Sequence, residues 1–146
     1  MWHIKTWEEL SKEELYALLK LRQEIFVVEQ CCPFVDCDDM DQASIHVWAE
    51  EEGEMMVYGR IVPSGTEFPE LSVGRFVTAT SARGRGWGRK IVDKCLEEAF
   101  QRFGKQRVKI TAQWLYADFY GSFGFERAGE EFQLDHIPHV YMVLDP

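Results

Sequence analysis

The sequence predicts an α/β fold in which a mostly antiparallel sheet carries one parallel crossover and is flanked by helices. Three observations predict it. A capped helix lies near the N-terminus, a meander of strands follows, and the second half alternates strand, helix, strand, helix and strand. The chain has 146 residues, so we expect one domain spanning residues 1–146.

A capped helix follows the first predicted strand. Residues 2–7 alternate in polarity and predict a short strand. Ser11 and Glu14 then have the spacing of a capping box, in which each side chain accepts the backbone N–H of the other residue. Leucines at helical spacing come next, so we expect a helix over residues 12–27.

The centre of the chain is predicted to be a long loop followed by strands. Residues 29–44 have no periodicity, and unstructured segments in small domains are often functional. Alternating and β-branched stretches then predict strands, with a hairpin turn at residues 51–54. The expected central strands are 45–49, 55–62 and 71–80.

The C-terminal part alternates helices and strands. Glycines mark a turn at residues 84–88, and the apolar residues after it recur with helical spacing, which predicts a helix over 87–103. A short helix is expected at 117–123. The remaining strands are expected at 108–112, 125–132 and 140–144.

Composition and charge exclude several classes of protein. No apolar run reaches the roughly 20 residues of a membrane span, so no membrane association is expected. The formal net charge of −9 argues against nucleic acid as a partner. The N-terminus has no signal-peptide core, which predicts a cytoplasmic protein whose four cysteines are free thiols.

The charge is distributed unevenly along the chain. Residues 1–70 carry 5 basic and 16 acidic groups, whereas residues 75–109 carry 10 basic and 3 acidic groups. An acidic half beside a basic island suggests two unlike ligands, one anionic and one cationic. A patchy surface without a ligand remains the alternative until a motif is found.

The glycine turn at residues 83–89 is the most informative stretch. It joins a strand to an amphipathic helix, and its glycines let the backbone approach a bulky anion closely. Its three arginines add positive charge around the start of the helix. A nucleoside-triphosphate P-loop does not fit, because Gly88 is followed by Arg89 and Lys90 and not by Lys and Ser or Thr. A dinucleotide fingerprint does not fit either, since it needs a glycine where Arg89 stands.

The pattern Arg-x-x-Gly-x-Gly at 83–88 resembles the pyrophosphate loop of the GNAT acyl-CoA transferase superfamily. The segment 119–125, Phe-Tyr-Gly-Ser-Phe-Gly-Phe, resembles the Phe-Tyr-x-x-x-Gly-Phe motif of the same superfamily, in the same order along the chain. The segment 21–30, with Cys-Pro-Phe at 32–34 and Ile-Pro-His at 137–139, is similar to its ElaA-like branch. Together these segments span nearly the whole chain.

The resemblance implies that acetyl-CoA is the cosubstrate and that no metal is needed. The pantetheine arm would lie along the strand edge at Arg75, Phe76, Val77 and Thr78. A backbone N–H there would also polarise the thioester carbonyl. The pyrophosphate would lie on the turn residues Arg83, Gly84, Arg85, Gly86, Trp87, Gly88 and Arg89.

The resemblance also implies acetyl transfer to a primary amine of a small molecule or peptide by direct attack on the thioester. Tyr120 matches the tyrosine that often protonates the departing thiolate. The amine must lose a proton, and the superfamily has no universal base. Glu29, at the end of the first helix, and His139, whose imidazole is a group suited to proton transfer near neutral pH, are the two candidates. Homodimers are common in the superfamily, so a homodimer is compatible with this assignment.

Two other functions stay open at the level of sequence. A CoA-binding sensor or interaction module without turnover would need the glycine turn but not Tyr120. A redox or metal-responsive protein would use Cys31, Cys32 and Cys37, although their spacing matches zinc-ligand pairs poorly. The acidic run of the loop either attracts a cationic acceptor or forms a solvated surface: Asp36, Asp38, Asp39 and Asp41.

Overall fold

The computed structural model describes residues 1–146 and contains eight strands and three α-helices. The strands are β1 (Trp2–Thr6), β2 (Ile45–Glu51), β3 (Glu54–Val62), β4 (Ser72–Thr78), β5 (Val108–Gln113), β6 (Glu126–Arg127), β7 (Phe132–Leu134) and β8 (Ile137–Leu144). The helices are α1 (Lys12–Arg22), α2 (Trp87–Phe103) and α3 (Ala117–Gly121). No helix has both the length and the apolar content to cross a membrane.

Two antiparallel sheets meet at a single parallel contact. The first has the strand order β1-β2-β3-β4, and the second has the order β5-β8-β6 with β7 also paired to β8. Leu71, just before β4, forms a parallel bridge with Val108, and its carbonyl accepts the N–H of Lys109 at 2.9 Å. Helix α2 connects β4 to β5, so the predicted parallel crossover is confirmed.

Helix α1 begins at the predicted capping box. The Ser11 hydroxyl accepts the Glu14 N–H at 3.1 Å, and the Glu14 carboxylate accepts the Ser11 N–H at 2.8 Å. The helix continues without a break into a π-helical segment, Gln23–Glu29, so the helical run ends two residues beyond the expected boundary at 27. Such wide turns are frequently found at functional sites.

The first sheet is covered by a helix on each face. Val47 and Trp48 are neighbours on β2, so their side chains point to opposite faces of the sheet. Val47 packs in the larger core under α2, and Trp48 packs in the smaller core under α1. Both side chains are fully buried.

Several expected boundaries are wrong, among them the strand expected at 140–144, which begins at Ile137, and the helix expected at 117–123, which ends at Gly121. Two others have a clear local cause. The strand expected at 125–132 is split into β6 and β7, because the backbone turns at Gly129, which has a φ of +109°. The strand expected at 71–80 ends at Thr78, because a 3₁₀ turn, Thr80–Ala82, leads into the glycine turn.

Candidate active site

A cleft of about 610 Å³ lies between β4 and β5. β4 pairs with β3 on one side, whereas its other side meets β5 only at the Leu71–Val108 bridge. The backbone of residues 73–78 therefore presents an unpaired strand edge to the cleft, which these residues line. An unpaired edge of this kind can bind an extended ligand as an additional strand.

A β-bulge interrupts β4 in the middle of this edge. Across it, β3 advances by two residues while β4 advances by three, so Gly59 alone faces both Arg75 and Phe76. Arg75 has a φ of +54°, in the left-handed region. A bulge leaves its extra residue outside the hydrogen-bond ladder, so the peptide groups beside Phe76 do not all form hydrogen bonds with β3.

Gly59 makes this bulge possible, and sequence reasoning missed it. A Cβ at Gly59 would lie 2.8 Å from Sγ of Cys95, 2.9 Å from Cδ1 of Phe76 and 3.0 Å from Cγ1 of Ile91. The side chains of α2 and of the bulge therefore pack directly on the Gly59 backbone. A glycine within a strand pattern is the one signal in the sequence that could have pointed to this close approach.

The three glycines of the turn have two different roles. Gly84 and Gly86 have φ values of +78° and +79°, so the backbone conformation itself favours glycine at both. Gly88 lies in the first turn of α2 without such a φ, and no atom lies within 4 Å of the place a Cβ would occupy. The space beside Gly88 is therefore open, and any larger side chain at this position would fill it.

The start of α2 suits an anion. Its N-cap residue is Gly86, and no side chain caps the helix. The N–H groups of the first turn have no partner within the helix, and they lie at the positive end of the helix dipole. Trp87 is buried edge-on against Trp2, with ring centroids 6.0 Å apart, and its indole N–H has no partner.

Arg83 lines the cleft and forms an ion pair there. Its Nη2 lies 2.6 Å from Oε1 of Glu29, at the end of the π-helical segment. Both side chains are more than a third exposed. Glu29 therefore meets the glycine turn directly, which the sequence did not predict.

Arg85 and Arg89 lie outside the lining of the cleft. Arg85 pairs with Glu51, with 2.7 Å between Nη2 and Oε1. Arg89 donates to the Ser122 hydroxyl at 2.5 Å, and its guanidinium lies 4.4 Å from the ring centroid of Phe123. Exposed pairs of this kind are weak, so both arginines are able to exchange partners for an anion on the turn.

Tyr120 lies on α3 and contacts the bulge. Its ring centroid is 6.2 Å from that of Phe76 and 6.3 Å from that of Phe125. Burial, with a smaller contribution from Tyr116, raises the pKa of the Tyr120 hydroxyl. The phenol therefore stays protonated near neutral pH and is available as a proton donor in the cleft.

His139 lies on β8 opposite Gln113 of β5, and it lines the same cleft. Its Nδ1 is 2.6 Å from the carbonyl oxygen of Ile137. Because a carbonyl only accepts, Nδ1 carries the proton in this contact, and Nε2 of the neutral ring is free to accept one. The structure thus brings Glu29, Tyr120 and His139, which are far apart in sequence, to one cleft.

The acidic run of the loop is neither a solvated surface nor a free attractor for cations. Asp36, Asp38 and Asp41 point inward to three arginines, and only Asp39 is exposed. The pairs are Arg22–Asp36 at 2.6 Å, Arg22–Asp41 at 2.7 Å, Arg60–Asp38 at 2.7 Å, Arg60–Asp41 at 2.8 Å, Arg75–Asp36 at 3.0 Å and Arg75–Asp38 at 3.2 Å. We call these six residues the Arg–Asp cluster.

The four cysteines are all free thiols. Cys95 is buried on the inner face of α2, Cys31 and Cys37 are exposed, and Cys32 lines the cleft. Cys32 Sγ lies 3.6 Å from the carbonyl oxygen of Asp135 in the β7–β8 turn. No group of three or more His, Cys, Asp and Glu side chains has a geometry suited to a metal ion.

Comparison with known proteins identifies the family. A family model described as an acetyltransferase (GNAT) domain matches residues 9–146. Protein ElaA of Escherichia coli is 35% identical over 139 residues, covering 94% of this chain and 91% of that protein.

Solved structures agree with this result. The chain superposes on the crystal structure of an acyl-CoA N-acyltransferase from Pseudomonas aeruginosa with a TM-score of 0.94 and 34% identity, covering 99% of this chain and 98% of that one. The crystal structure of Escherichia coli ElaA gives a TM-score of 0.91 at 34% identity, with the same coverage. The fold and the sequence together show that this chain is an ElaA-like member of the GNAT acetyltransferase family and an acyltransferase.

Proposed function

We propose that the protein transfers an acetyl group from acetyl-CoA to a primary amine of a small molecule or peptide by direct attack. The observation that carries this proposal is the continuity of two features in one cleft. The unpaired edge of β4 is followed by the glycine turn and the uncapped N-terminus of α2, and Arg83 of that turn lines the same cleft. An extended amide-containing arm followed by a diphosphate is the ligand whose shape and charge match that sequence of features.

The residues of the cleft fit acetyl-CoA, which supplies the activated acyl group when bound. Phe76, Val77 and Thr78 would hold the pantetheine arm through backbone hydrogen bonds. The turn from Arg83 to Arg89 would hold the pyrophosphate, with the phosphate oxygens close to the open position at Gly88. Arg83 would exchange Glu29 for a phosphate oxygen, because charge-assisted contacts to phosphate are stronger than an exposed ion pair.

The bulge in β4 would orient a backbone N–H towards the acyl carbonyl oxygen. A donor fixed in advance at the place where negative charge develops lowers the barrier to attack. Tyr120 packs on Phe76 and therefore lies beside this donor. Its protonated hydroxyl would donate a proton to the departing sulfur.

Glu29 and His139 are the candidate bases for the amine. His139 has a free Nε2 in its neutral form, because Nδ1 is held by the Ile137 carbonyl. Glu29 is held by Arg83, and it becomes available once Arg83 binds a phosphate. Variants at the two positions separate the roles, because only loss of the residue that accepts the proton of the amine should slow the acetyl-transfer step itself.

The experiment that tests the function is an acceptor screen with acetyl-CoA that follows the release of free CoA. Single-turnover transfer to the amine found is then compared between wild type and Tyr120→Phe. General acid assistance contributes about 10²–10⁴-fold, and we expect a loss near the lower end because water partly substitutes.

Affinity for CoA should change little in Tyr120→Phe, since the ring packing is kept. Tyr116 also lines the cleft, so Tyr116→Phe is the matched control and should retain the wild-type rate. A Tyr120→Phe variant as fast as wild type removes Tyr120 from the mechanism. Tight CoA binding with no turnover on any amine indicates a CoA-binding module and overturns the proposed activity.

A further inference from the structure

We propose that Asp38, together with Asp36, is a positioning residue for acyl transfer: through Arg75 it holds the bulge of β4 in the left-handed conformation that presents the backbone to the thioester. This inference rests on the proposed function. It assigns a role to the Arg–Asp cluster, which the transfer chemistry itself does not use.

The bulge needs an external constraint. Six non-glycine residues have a positive φ, and Arg75 is the one that lies inside a strand. A side chain in the left-handed region is disfavoured, because its Cβ crowds the following carbonyl oxygen. Such a conformation persists only where the surrounding structure holds it in place.

The Arg75 side chain supplies that constraint. Its Nη2 donates hydrogen bonds of 3.2 Å to Oδ2 of Asp38 and to the carbonyl oxygen of Asp36. Its Nε lies within ion-pair distance of Oδ1 of Asp36, at 3.0 Å, without forming a hydrogen bond. A guanidinium presents its donors in a planar fork, so contacts on two sides fix its orientation. Fixing the end of the side chain limits the backbone conformations that are open to Arg75.

Asp36 and Asp38 are in turn held in place by two further arginines. Asp36 binds Arg22 at the end of α1, and Asp38 binds Arg60 of β3 through two hydrogen bonds at 2.9 and 2.7 Å. Arg22 and Arg60 are fully buried, and Asp41 bridges them. The cluster has three positive and three negative charges, so its formal charge is balanced.

Electrostatics keeps Asp38 ionised within this cluster. Burial by itself would raise the pKa of Asp38, but hydrogen bonds and charge from Arg60, together with the charge of Arg75, lower it to about 2. The carboxylate therefore stays charged across the physiological range. The ion pair with Arg75 does not depend on pH near neutrality.

Asp38 acts at a distance from the cleft. Asp36 and Arg75 line the cleft, whereas Asp38 does not. A ligand in the cleft would therefore meet Asp38 only through Arg75. This makes Asp38 the cleanest position at which to separate positioning of the bulge from direct contact with a substrate.

The test compares two substitutions that remove the same charge. Arg75→Ala and Arg75→Gly both lose the guanidinium, but glycine adopts a φ of +54° without strain whereas alanine does not. We expect Arg75→Gly to retain at least tenfold more of the single-turnover rate than Arg75→Ala. Asp38→Asn should resemble Arg75→Ala, and Asp39→Asn, at the exposed neighbour, should match wild type.

Two further measurements complement the transfer rate, and the first of them does not depend on turnover. Backbone amide NMR of the ligand-free protein should show the Phe76 and Val77 signals moved or broadened in Arg75→Ala and Asp38→Asn, and near their wild-type positions in Arg75→Gly. CoA affinity, measured by calorimetry, should fall less than the transfer rate in each variant, because the turn at Arg83–Arg89 is unchanged.

Equal losses in Arg75→Ala and Arg75→Gly would overturn the proposal, because the guanidinium itself would then be what matters. Unchanged amide signals in Asp38→Asn would also overturn it. If the wild type transfers no acyl group, the proposed function fails, yet the NMR comparison still decides whether the cluster holds the bulge. If Asp38→Asn does not fold, the comparison of Arg75→Ala with Arg75→Gly still tests whether the Arg75 side chain acts by holding the bulge.

Discussion

Glu29 and Arg83 lie 54 positions apart in sequence and form an ion pair of 2.6 Å that joins two walls of the cleft. Glu29 ends the helical run that starts at α1, and Arg83 begins the glycine turn. An exposed pair contributes little to stability, so an anion on the turn can displace it at low cost. Binding of the anion would then release the Glu29 carboxylate towards the acceptor.

Glu29→Gln should therefore tighten CoA binding. The substitution removes the ion pair that competes with CoA for Arg83, which contributes about 0.2–1 kcal/mol. We therefore expect the affinity for CoA, measured by calorimetry, to rise about one and a half to fivefold. Arg83→Ala should weaken binding by tenfold or more, since a hydrogen bond to a charged group is worth roughly 1.5–3 kcal/mol.

Asp145→Asn is the control for Glu29→Gln, because the Arg107–Asp145 pair is also exposed, with 2.8 Å between Nε and Oδ1, but belongs neither to the cleft lining nor to the glycine turn. An equal gain in both variants would show a general effect of charge. No gain in Glu29→Gln would contradict competition for Arg83.

Gly88→Leu should separate stability from ligand binding. Leucine favours a helix more than glycine does, by up to about 1 kcal/mol, so the melting temperature should stay the same or rise. The side chain would fill the open space at the start of α2 and abolish CoA binding. Gly88→Ala should show an intermediate loss. A Gly88→Leu variant that binds CoA like wild type would show that the phosphates do not approach this position.

Gly59→Ala should destabilise the fold. The added Cβ would lie within 3.0 Å of Cys95, Phe76 and Ile91, and overpacking of a core costs typically 1–3 kcal/mol. Urea denaturation measures the loss. Gly74→Ala is the matched control on the paired strand, since nothing lies within 4 Å of its Cβ position, and it should change stability little. Equal stability of the two variants would contradict the close packing on Gly59.

Stability should fall at mildly acidic pH because of His46. Its Nε2–H donates to the Asp41 carbonyl at 2.9 Å, and its Nδ1 accepts the Tyr58 hydroxyl at 2.6 Å, an arrangement that requires the neutral ring. Burial lowers the pKa of His46 below 6.5 in the folded state. Below that pH the unfolded chain binds a proton that the folded chain does not. The stabilisation that the neutral His46 ring gives the folded state is therefore complete above pH 6.5 and is lost as the pH falls.

Denaturation at a series of pH values from 6.5 downwards measures this effect. One proton that only the unfolded chain binds changes the free energy of unfolding by at most about 1.4 kcal/mol per pH unit. His46→Gln should reduce the slope, whereas His136→Gln, at an exposed position, should not. A slope unchanged by His46→Gln would assign the acid sensitivity to other groups.

Local patterns in the sequence predicted most of the elements correctly. The capping box at Ser11 and Glu14 marks the start of α1, and the apolar spacing after the glycine turn marks α2 over its full length, Trp87–Phe103. These signals act over a few residues, because caps and helical periods depend on neighbours in the chain. Gly129, in contrast, splits the strand predicted at 125–132, since a single left-handed residue outweighs the alternation around it.

The sequence by itself indicated the family and the glycine turn, because their motifs depend on residues close together in the chain. It also proposed the candidate site residues, of which Arg85 and Arg89 lie outside the lining of the cleft. The tertiary structure alone decided that Asp36 and Asp38 bind Arg75 and not a cationic acceptor, that Arg75 adopts a left-handed conformation, and that Gly59 lies under Phe76. Each of these contacts joins residues distant in sequence, and which partners meet depends on the packing of α1, α2 and the first sheet. Two buried arginines, Arg22 and Arg60, and the partly exposed Arg75 pair with these aspartates, and no local pattern in the sequence records that burial.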